Sequence, residues 1–297
     1  FFFVNMPSWW NCLVTWFESA EEKKKKESFK NPPPVFEPPQ MEPSELMSLA
    51  HIESICKYLL LDEPRRWRRI YNSRKDGKSF TRFGAEVCNR GPTIVVIKAV
   101  DGHVFGGHAD ESWRTSAQRY KEAQAEAAAV ARAKRCGQQY EAKHEPPNRT
   151  SRRFFGGDRS FIFALEPEAK VYLPSGHNSN FLYFDEACEI KGMAGVGMGG
   201  QPEFCGWFVD DWLDGGHCRG SPNCLTFDNP RLTKEETFQV DAVEVWQTSL
   251  EAIEKEEEFE ASPGKPTGNL LDNQKNNADK MILELGMGRT FYSDNIG

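Results

Sequence analysis

A chain of 297 residues, with 39% hydrophobic and 27% charged residues, can bury a sizeable core in one large domain or two small ones. Its net charge of -7 argues against a general nucleic-acid binder, which would be basic. No run approaches the roughly 18 apolar residues that cross a bilayer, so the chain reads as soluble, or peripheral to a membrane at most.

The first residue is Phe1 rather than methionine, which reads as a fragment or a processed product. The opening FFFVNMPSWWNCLVTWF lacks the basic region and small-residue cleavage site of a signal peptide. Residues 1–43 read as an extended arm. Phe1, Trp9, Trp10 and Trp16 crowd its start, and a lysine run and a proline-rich stretch follow. Such a segment cannot bury enough apolar surface to fold alone. The lysines follow the aromatics instead of lining an opposite helical face, so the aromatics are expected to dock into a hydrophobic groove rather than a membrane.

A domain is expected over residues 44–248. Pro43, Ser44 and Glu45 open a predicted helix that carries Leu46, Leu49, Ile52, Ile55 and Leu59 and stops at Pro64. Trp67, Ile70 and Tyr71 begin a second packed segment. Short β segments follow: TIVVIK (93–98), a turn at Asp101–Gly102 into HVFGG, then SFIFAL (160–165), KVYL (170–173), NFLYF (180–184), FCGWFVD (204–210) and VDAVEVW (240–246). Many short strands with few helices between them predict a mainly β fold with added helices, a two-sheet antiparallel sandwich. Residues 114–145 interrupt it as an alanine-rich helical insertion whose apolar stripe is thin. Residues 249–268 read as an acidic linker. Residues 269–297 carry a last helix in which Met281, Ile282 and Leu285 form a second set of docking residues before Gly286.

The chemistry-bearing residues form no recognisable site. The eight cysteines include no CxxC pair and read as reduced thiols, and the spacings of Cys205, His217, Cys218 and Cys224 fit no usual zinc pattern. Gly195, Gly197 and Gly200 satisfy GxGxxG, but a strand-like segment follows instead of a helix N-terminus, so tight turning between strands explains them better than nucleotide binding. His51, His103, His108, His144, His177 and His217 face no nucleophile in the sequence. Asp210, Asp211 and Asp214 lack the spacing of a calcium loop. No catalytic, cofactor or metal residue is assigned.

The segments WRRIYNSRKDGKSF, GPTIVVIKAVDGHVFGGHADESW, FFGGDRSFIFAL, SGHNSNFLYF, the run from GVGMGG to NPRL, and FQVDAVEVW together resemble a TLDc domain over about Leu46 to Trp246. The residues that carry the resemblance include Gly102, His103, Phe105, Gly106, Gly107, Gly176, Asn178, Gly197, Gly199, Gly200, Glu244 and Trp246. The tail is similar to the C-terminal extension of the mTOR-associated, lysosome-linked members, whose EF-hand-like N-terminal region has no counterpart here. The resemblance implies a two-sheet sandwich without a transferable catalytic set. It also implies a link to oxidative-stress resistance and mTOR signalling, and binding to the vacuolar proton-pumping ATPase (V-ATPase). The expected location is the cytoplasm, on the cytosolic face of lysosome- or vacuole-type membranes or within a large assembly. The alternatives are a structural subunit of a ciliary or membrane complex and a redox-linked enzyme.

Overall fold

Alternation along β2 (Thr93–Ala99) and β11 (Thr237–Gln247) sorts their side chains onto two faces. Val95, Ile97 and Ala99, with Val243 and Val245, enter one large core, while Ile94, Val96, Glu244 and Trp246 take the other face, also buried. The two strands pair antiparallel, with Trp246 opposite Ile94, as expected of a shared sandwich core. The computed structural model describes residues 36–60, 63, 65–136, 154–186, 193–201 and 204–261.

Among the described residues eleven strands form one antiparallel sheet folded into two layers, ten along a single path and β1 branching from it at β11. The first layer holds β1 (Arg68–Asn72), β11, β2, β3 (Val104–Ala109), β5 (Phe161–Glu166) and β6 (Lys170–Tyr172). The second holds β4 (Phe154–Phe155), β7 (Leu182–Asp185), β8 (Gly195–Met198), β9 (Trp207–Asp210) and β10 (Gly215–His217). β11 joins them: Thr237–Gln239 pairs β10, and after an irregularity at Val240–Ala242 the strand pairs β2. Leu182, Phe184, Val196, Met198, Trp207 and Val209 meet Val95, Ile97, Phe105 and Ile162 between the layers.

Five helices are added among the described residues: α1 (Leu49–Cys56), α2 (Ser73–Asp76), α3 (Phe80–Val87), α4 (Ser116–Arg135) and α5 (Leu250–Ala261). α3 stacks Phe80 and Phe83 on Phe184 at 5.0 and 6.3 Å. α4 is the expected insertion between β3 and β4, capped by Thr115 in a box with Gln118. It buries no side chain, consistent with its thin apolar stripe.

Three expectations change. The first helix starts at Leu49, not near Ser44, and ends at Cys56. Ser44 Oγ accepts the N–H groups of Leu46 (3.2 Å) and Met47 (3.0 Å) and donates to Glu244 Oε2 (2.6 Å), so residues 44–47 make a turn pinned to β11. Leu49 is consequently exposed while Leu46, Met47, Ile52 and Ile55 are buried. Gly195 and Gly197 lie within β8 rather than in a turn, and only Gly199 and Gly200, at φ 75° and 83°, reverse the chain. The acidic segment 249–268 is helical over Leu250–Ala261, because Ile253 is fully buried and arginines of the domain neutralise its carboxylates. Arg66 grips Glu257 with two hydrogen bonds (2.6 and 3.0 Å), and Arg90 binds Glu256 at 2.6 Å. The anchors Phe1, Trp9, Trp10, Trp16, Met281, Ile282 and Leu285 lie outside the described residues.

Candidate functional site

The β2–β3 hairpin presents the first motif cluster. Gly102 sits at φ 94° and its N–H reaches the Ala99 carbonyl, which closes a three-residue loop that only glycine enters easily. Asp101 accepts from the His103 backbone N–H (3.1 Å), lies 3.0 Å from His103 Nδ1, and also accepts from Lys234 N–H (3.3 Å). Partial burial raises the Asp101 carboxyl, but these hydrogen bonds outweigh it and hold its pKa below the ordinary value. Phe105 enters the core edge-on to Phe238 at 5.1 Å. At Gly106 a Cβ would lie 1.9 Å from the Val95 carbonyl, so the close approach of β3 to β2 requires glycine there. Gly107 faces Met198 across the sandwich.

A second cluster unites three motif segments. Thr226 Oγ1, fully buried, donates to Asn178 Oδ1 (2.7 Å) and accepts from the Gly200 N–H (2.7 Å). Asn178 Oδ1 also accepts the Asn180 N–H (3.1 Å), while Asn180 Nδ2 donates to the Gly200 carbonyl (2.8 Å). Gly197 pairs with Tyr183 and Phe208 in β8, Gly199 packs beside Phe227, and Gly176 occupies an open turn at φ 82°. The cluster is a loop clamp, and among the described residues the next element after Gly200 is the strand β9.

A third cluster centres on Glu244, whose side chain is 1% exposed. Its carboxylate accepts from Ser44 Oγ (2.6 Å), Glu45 N–H (3.1 Å), Trp246 Nε1 (3.2 Å) and Asn72 Nδ2 (3.4 Å), with Arg69 at 3.9 Å. The Arg69 guanidinium also stands 5.4 Å over the Trp246 ring. The motif pair Glu244 and Trp246 therefore ties the segment before α1 to the outer face of the first layer.

The remaining reactive residues are separated or inert. Asp210 accepts from Trp212 and Asp214 N–H and so builds its own turn, while Asp214 pairs with Lys78 at 2.8 Å. Among the described residues no group of three or more His, Cys, Asp or Glu is arranged to hold a metal ion. His177 lies exposed in a loop. His217 stacks on Phe208 at 5.0 Å, and burial, then Arg219, push its pKa down to about 4 against the pull of Glu236. Burial raises Cys56, Cys88 and Cys218 to about 12 and moves Cys205 and Cys224 upward as well. The thiolate is the reactive form, so iodoacetamide is expected to alkylate exposed Cys136 in the native chain and to reach these five only after unfolding. Peptide mass spectrometry reads the order, and fast labelling of Cys205 or Cys218 in folded protein would contradict it.

One constellation escaped sequence reasoning. Glu63, His108, Asp110, Asp158 and Arg159 line a cavity of about 480 Å³, together with Tyr58, Leu60, Phe161 and Leu173. β3 positions His108, and Asp110, two residues on and just past the end of the strand, lines the same cavity. His108 stacks on Phe161 at 5.0 Å, and its Nε2 lies 3.6 Å from Glu63 Oε2, too long for a hydrogen bond. Burial pushes His108 down to about 4, against a backbone interaction with Arg159 and the charge of Asp110 that favour protonation; the Arg159 charge adds to the depression. Burial raises Glu63 and the charge of Asp110 adds to that, while the Leu60 N–H and Arg159 oppose it. The available signal was the His-x-Asp spacing of His108 and Asp110, which puts both on one face of a strand.

Comparison with known proteins agrees with the motif clusters. Residues 40–128 and 142–249 match the family profile described as the TLDc domain. The chain is similar to MTOR-associated protein MEAK7 of Gallus gallus, 30% identical over 204 residues, covering 68% of this chain and 36% of that protein. The Homo sapiens protein of that name is 30% identical over 201 residues, with the same coverages. Oxidation resistance protein 1 of Rattus norvegicus is 29% identical over 220 residues, covering 72% of this chain and 20% of that protein. The chain thus spans about a third of the length of the mTOR-associated relatives and less of the other. With the profile running from the segment before α1 into the end of β11, and the described motif residues built into one sandwich, the chain belongs to the TLDc domain family.

Proposed function

We propose that this chain is a non-enzymatic binding module that docks on a large protein complex and regulates it, the V-ATPase being that complex. Its setting in this reading is oxidative-stress resistance and mTOR-linked lysosomal signalling. The observation that carries the reading is the TLDc match, shared with relatives named for mTOR association and for oxidation resistance. Two features support it. The described thiols other than Cys136 are buried and held far from their reactive form. Trp212 is 72% exposed at the β9–β10 turn, an aromatic of the kind that anchors protein interfaces. No described helix is long and apolar enough to cross a membrane.

Docking also assigns a role to the two ends. Phe1, Trp9, Trp10 and Trp16 anchor the arm to the partner in this reading, and Met281, Ile282 and Leu285 anchor the tail. Burial of each large apolar side chain contributes about 1.5–3 kcal/mol, so a few anchors outweigh the cost of ordering. The test is recovery of purified V-ATPase on immobilised chain, comparing wild type, a deletion of residues 1–17, and a Met281→Ala, Ile282→Ala, Leu285→Ala variant. Recovery by wild type that falls in either variant, at unchanged melting temperature, is the expected result. No recovery by wild type would end the V-ATPase assignment. A sharp drop in melting with unchanged recovery would place the anchors in the domain's own core.

A further inference from the structure

The cavity beside α1 and β3 carries chemistry that none of the motif clusters uses. Its floor is a poorly satisfied histidine: His108 is 3% exposed in its side chain, and neither Nδ1 nor Nε2 makes a hydrogen bond of normal geometry, although the Arg159 backbone approaches the ring. Orphaned buried polar groups of this kind are uncommon and call for an explanation. Beside it, Glu63 is 9% exposed in its side chain, receives the Leu60 N–H at 3.2 Å, and forms no ion pair with a lysine or arginine among the described residues. Asp110 is better served, with Oδ1 accepting from Gly157 N–H (2.9 Å) and Ser160 Oγ (2.6 Å), and Oδ2 lying 4.0 Å from Arg159. Exposed Asp158 adds a third carboxylate against the single guanidinium of Arg159. Around this acidic floor stand three exposed apolar side chains, Tyr58 (47%), Leu60 (50%) and Leu173 (51%).

We propose that this cavity binds a long-stemmed organic cation of the arginine or lysine side-chain type, with its head against Glu63 and His108 and its stem along Tyr58, Leu60 and Leu173. Arg159 acts on Glu63 only from a distance. A buried carboxylate with no cation in direct contact is costly, so a cationic guest relieves a penalty that a neutral or anionic one leaves in place. The apolar rim suits a guest that buries a hydrocarbon stem behind a charged head, and Tyr58 offers a ring face to the cation. A neutral imidazole carries one lone pair and can accept an N–H from the guest. Burial keeps His108 in that neutral form down to about pH 4, so it does not repel the cation. The volume of about 480 Å³ falls within the range of roughly 300–1,000 Å³ typical of small-ligand sites. The site stands apart from the docking reading, and its failure leaves that reading untouched.

The guest could be a side chain of a partner protein or a free amine, and two probes separate these sources. Nα-acetyl-L-arginine methylamide represents a peptide-borne side chain, agmatine a free amine, and the citrulline counterpart of the first is a neutral isostere. Titration calorimetry on the full chain, with NMR of the His108 ring, reads the binding. The expected result is saturable binding of at least one cation with Kd of about 1 mM or tighter, a shifted His108 ring signal, and no binding of the citrulline probe. Glu63→Gln is expected to weaken binding about tenfold. Asp158→Asn, an exposed change that leaves the fold intact, is expected to weaken it about twofold. Preference for the acetylated probe assigns the guest to a partner chain and preference for agmatine assigns it to a free amine, and both uphold a cation site. Absence of saturation with either cation, equal binding of the citrulline probe, or unchanged affinity in both variants would overturn the proposal.

Discussion

Replacing Glu244 with alanine is expected to cost about 3–5 kcal/mol of stability, the usual penalty for removing one member of a buried, hydrogen-bonded charge cluster. The expectation rests on what the carboxylate serves. It accepts from Ser44 Oγ, the Glu45 N–H, Trp246 Nε1 and Asn72 Nδ2, and it lies 3.9 Å from Arg69 Nη1. Alanine removes the acceptor of the Ser44 hydroxyl, the Glu45 N–H and Trp246 Nε1, while Asn72 keeps Glu45 Oε1 (3.3 Å) and Arg69 keeps the Pro43 carbonyl and Glu42. Each orphaned donor adds its own desolvation cost. For a domain of this size the loss corresponds to a melting temperature lower by on the order of 10 °C. Urea unfolding measures the free energy, and hydrogen exchange over residues 44–47 locates the damage. A loss below about 1 kcal/mol would mean that Glu244 is not the hub that joins the segment before α1 to β11. Glu244→Gln keeps the shape but turns an N–H₂ toward donors, so it is expected to fall between wild type and alanine.

Stability is also expected to fall as pH drops from about 6.5 toward 4. His108 has a folded pKa of about 4, depressed chiefly by burial, against an ordinary value of about 6.5. Within that window the unfolded chain binds a proton at this residue and the folded chain does not, so unfolding gains as acid is added. The contribution of neutral His108 is complete above the unfolded pKa and disappears as pH passes down through the folded one, at up to about 1.4 kcal/mol per pH unit. His217 shifts in the same direction and adds less, because it is only partly buried. Glu63 has the opposite sign: its raised pKa contributes stability at low pH and loses it as pH rises through the folded value, so it offsets part of the decline at the acid end. Urea midpoints between pH 7 and 4.5 for wild type and His108→Leu are the measurement. The variant is expected to give the flatter profile, and parallel profiles would remove His108 as the source.

Much of the sandwich is legible in the sequence because its signals are local. TIVVIK, SFIFAL and VDAVEVW combine β-branched and aromatic residues with turn residues at their ends, and they fold as β2, β5 and the second half of β11. Thr115 and Gln118 mark the start of α4 by a capping box that needs nothing beyond its own four residues. The glycine-rich strands β8 and β10 are not legible in this way. GVGM and GGH carry weak strand propensity and become strands because β7 and β9 on one side, and β9 and β11 on the other, supply their ladders. The helix α5 is hidden for a related reason: an acidic run reads as a solvated linker until Arg66 and Arg90, far back in the chain, are placed against it.

The candidate site divides along the same line. By itself the sequence determined the family, through motif segments that each keep their own local geometry, such as the Asp101–Gly102 turn and the Gly199–Gly200 reversal. It also placed Glu244 and Trp246 among the residues that matter, without saying what they hold. Only the tertiary structure decided that Glu244 receives Ser44 from 200 positions away. Only the tertiary structure likewise brought Glu63, His108, Asp110 and Leu173 around one cavity. Local propensity and periodicity act over a few residues. Burial, orphaned hydrogen-bonding groups and uncompensated charge depend on which distant segments the sheet order brings together, and that is settled by packing.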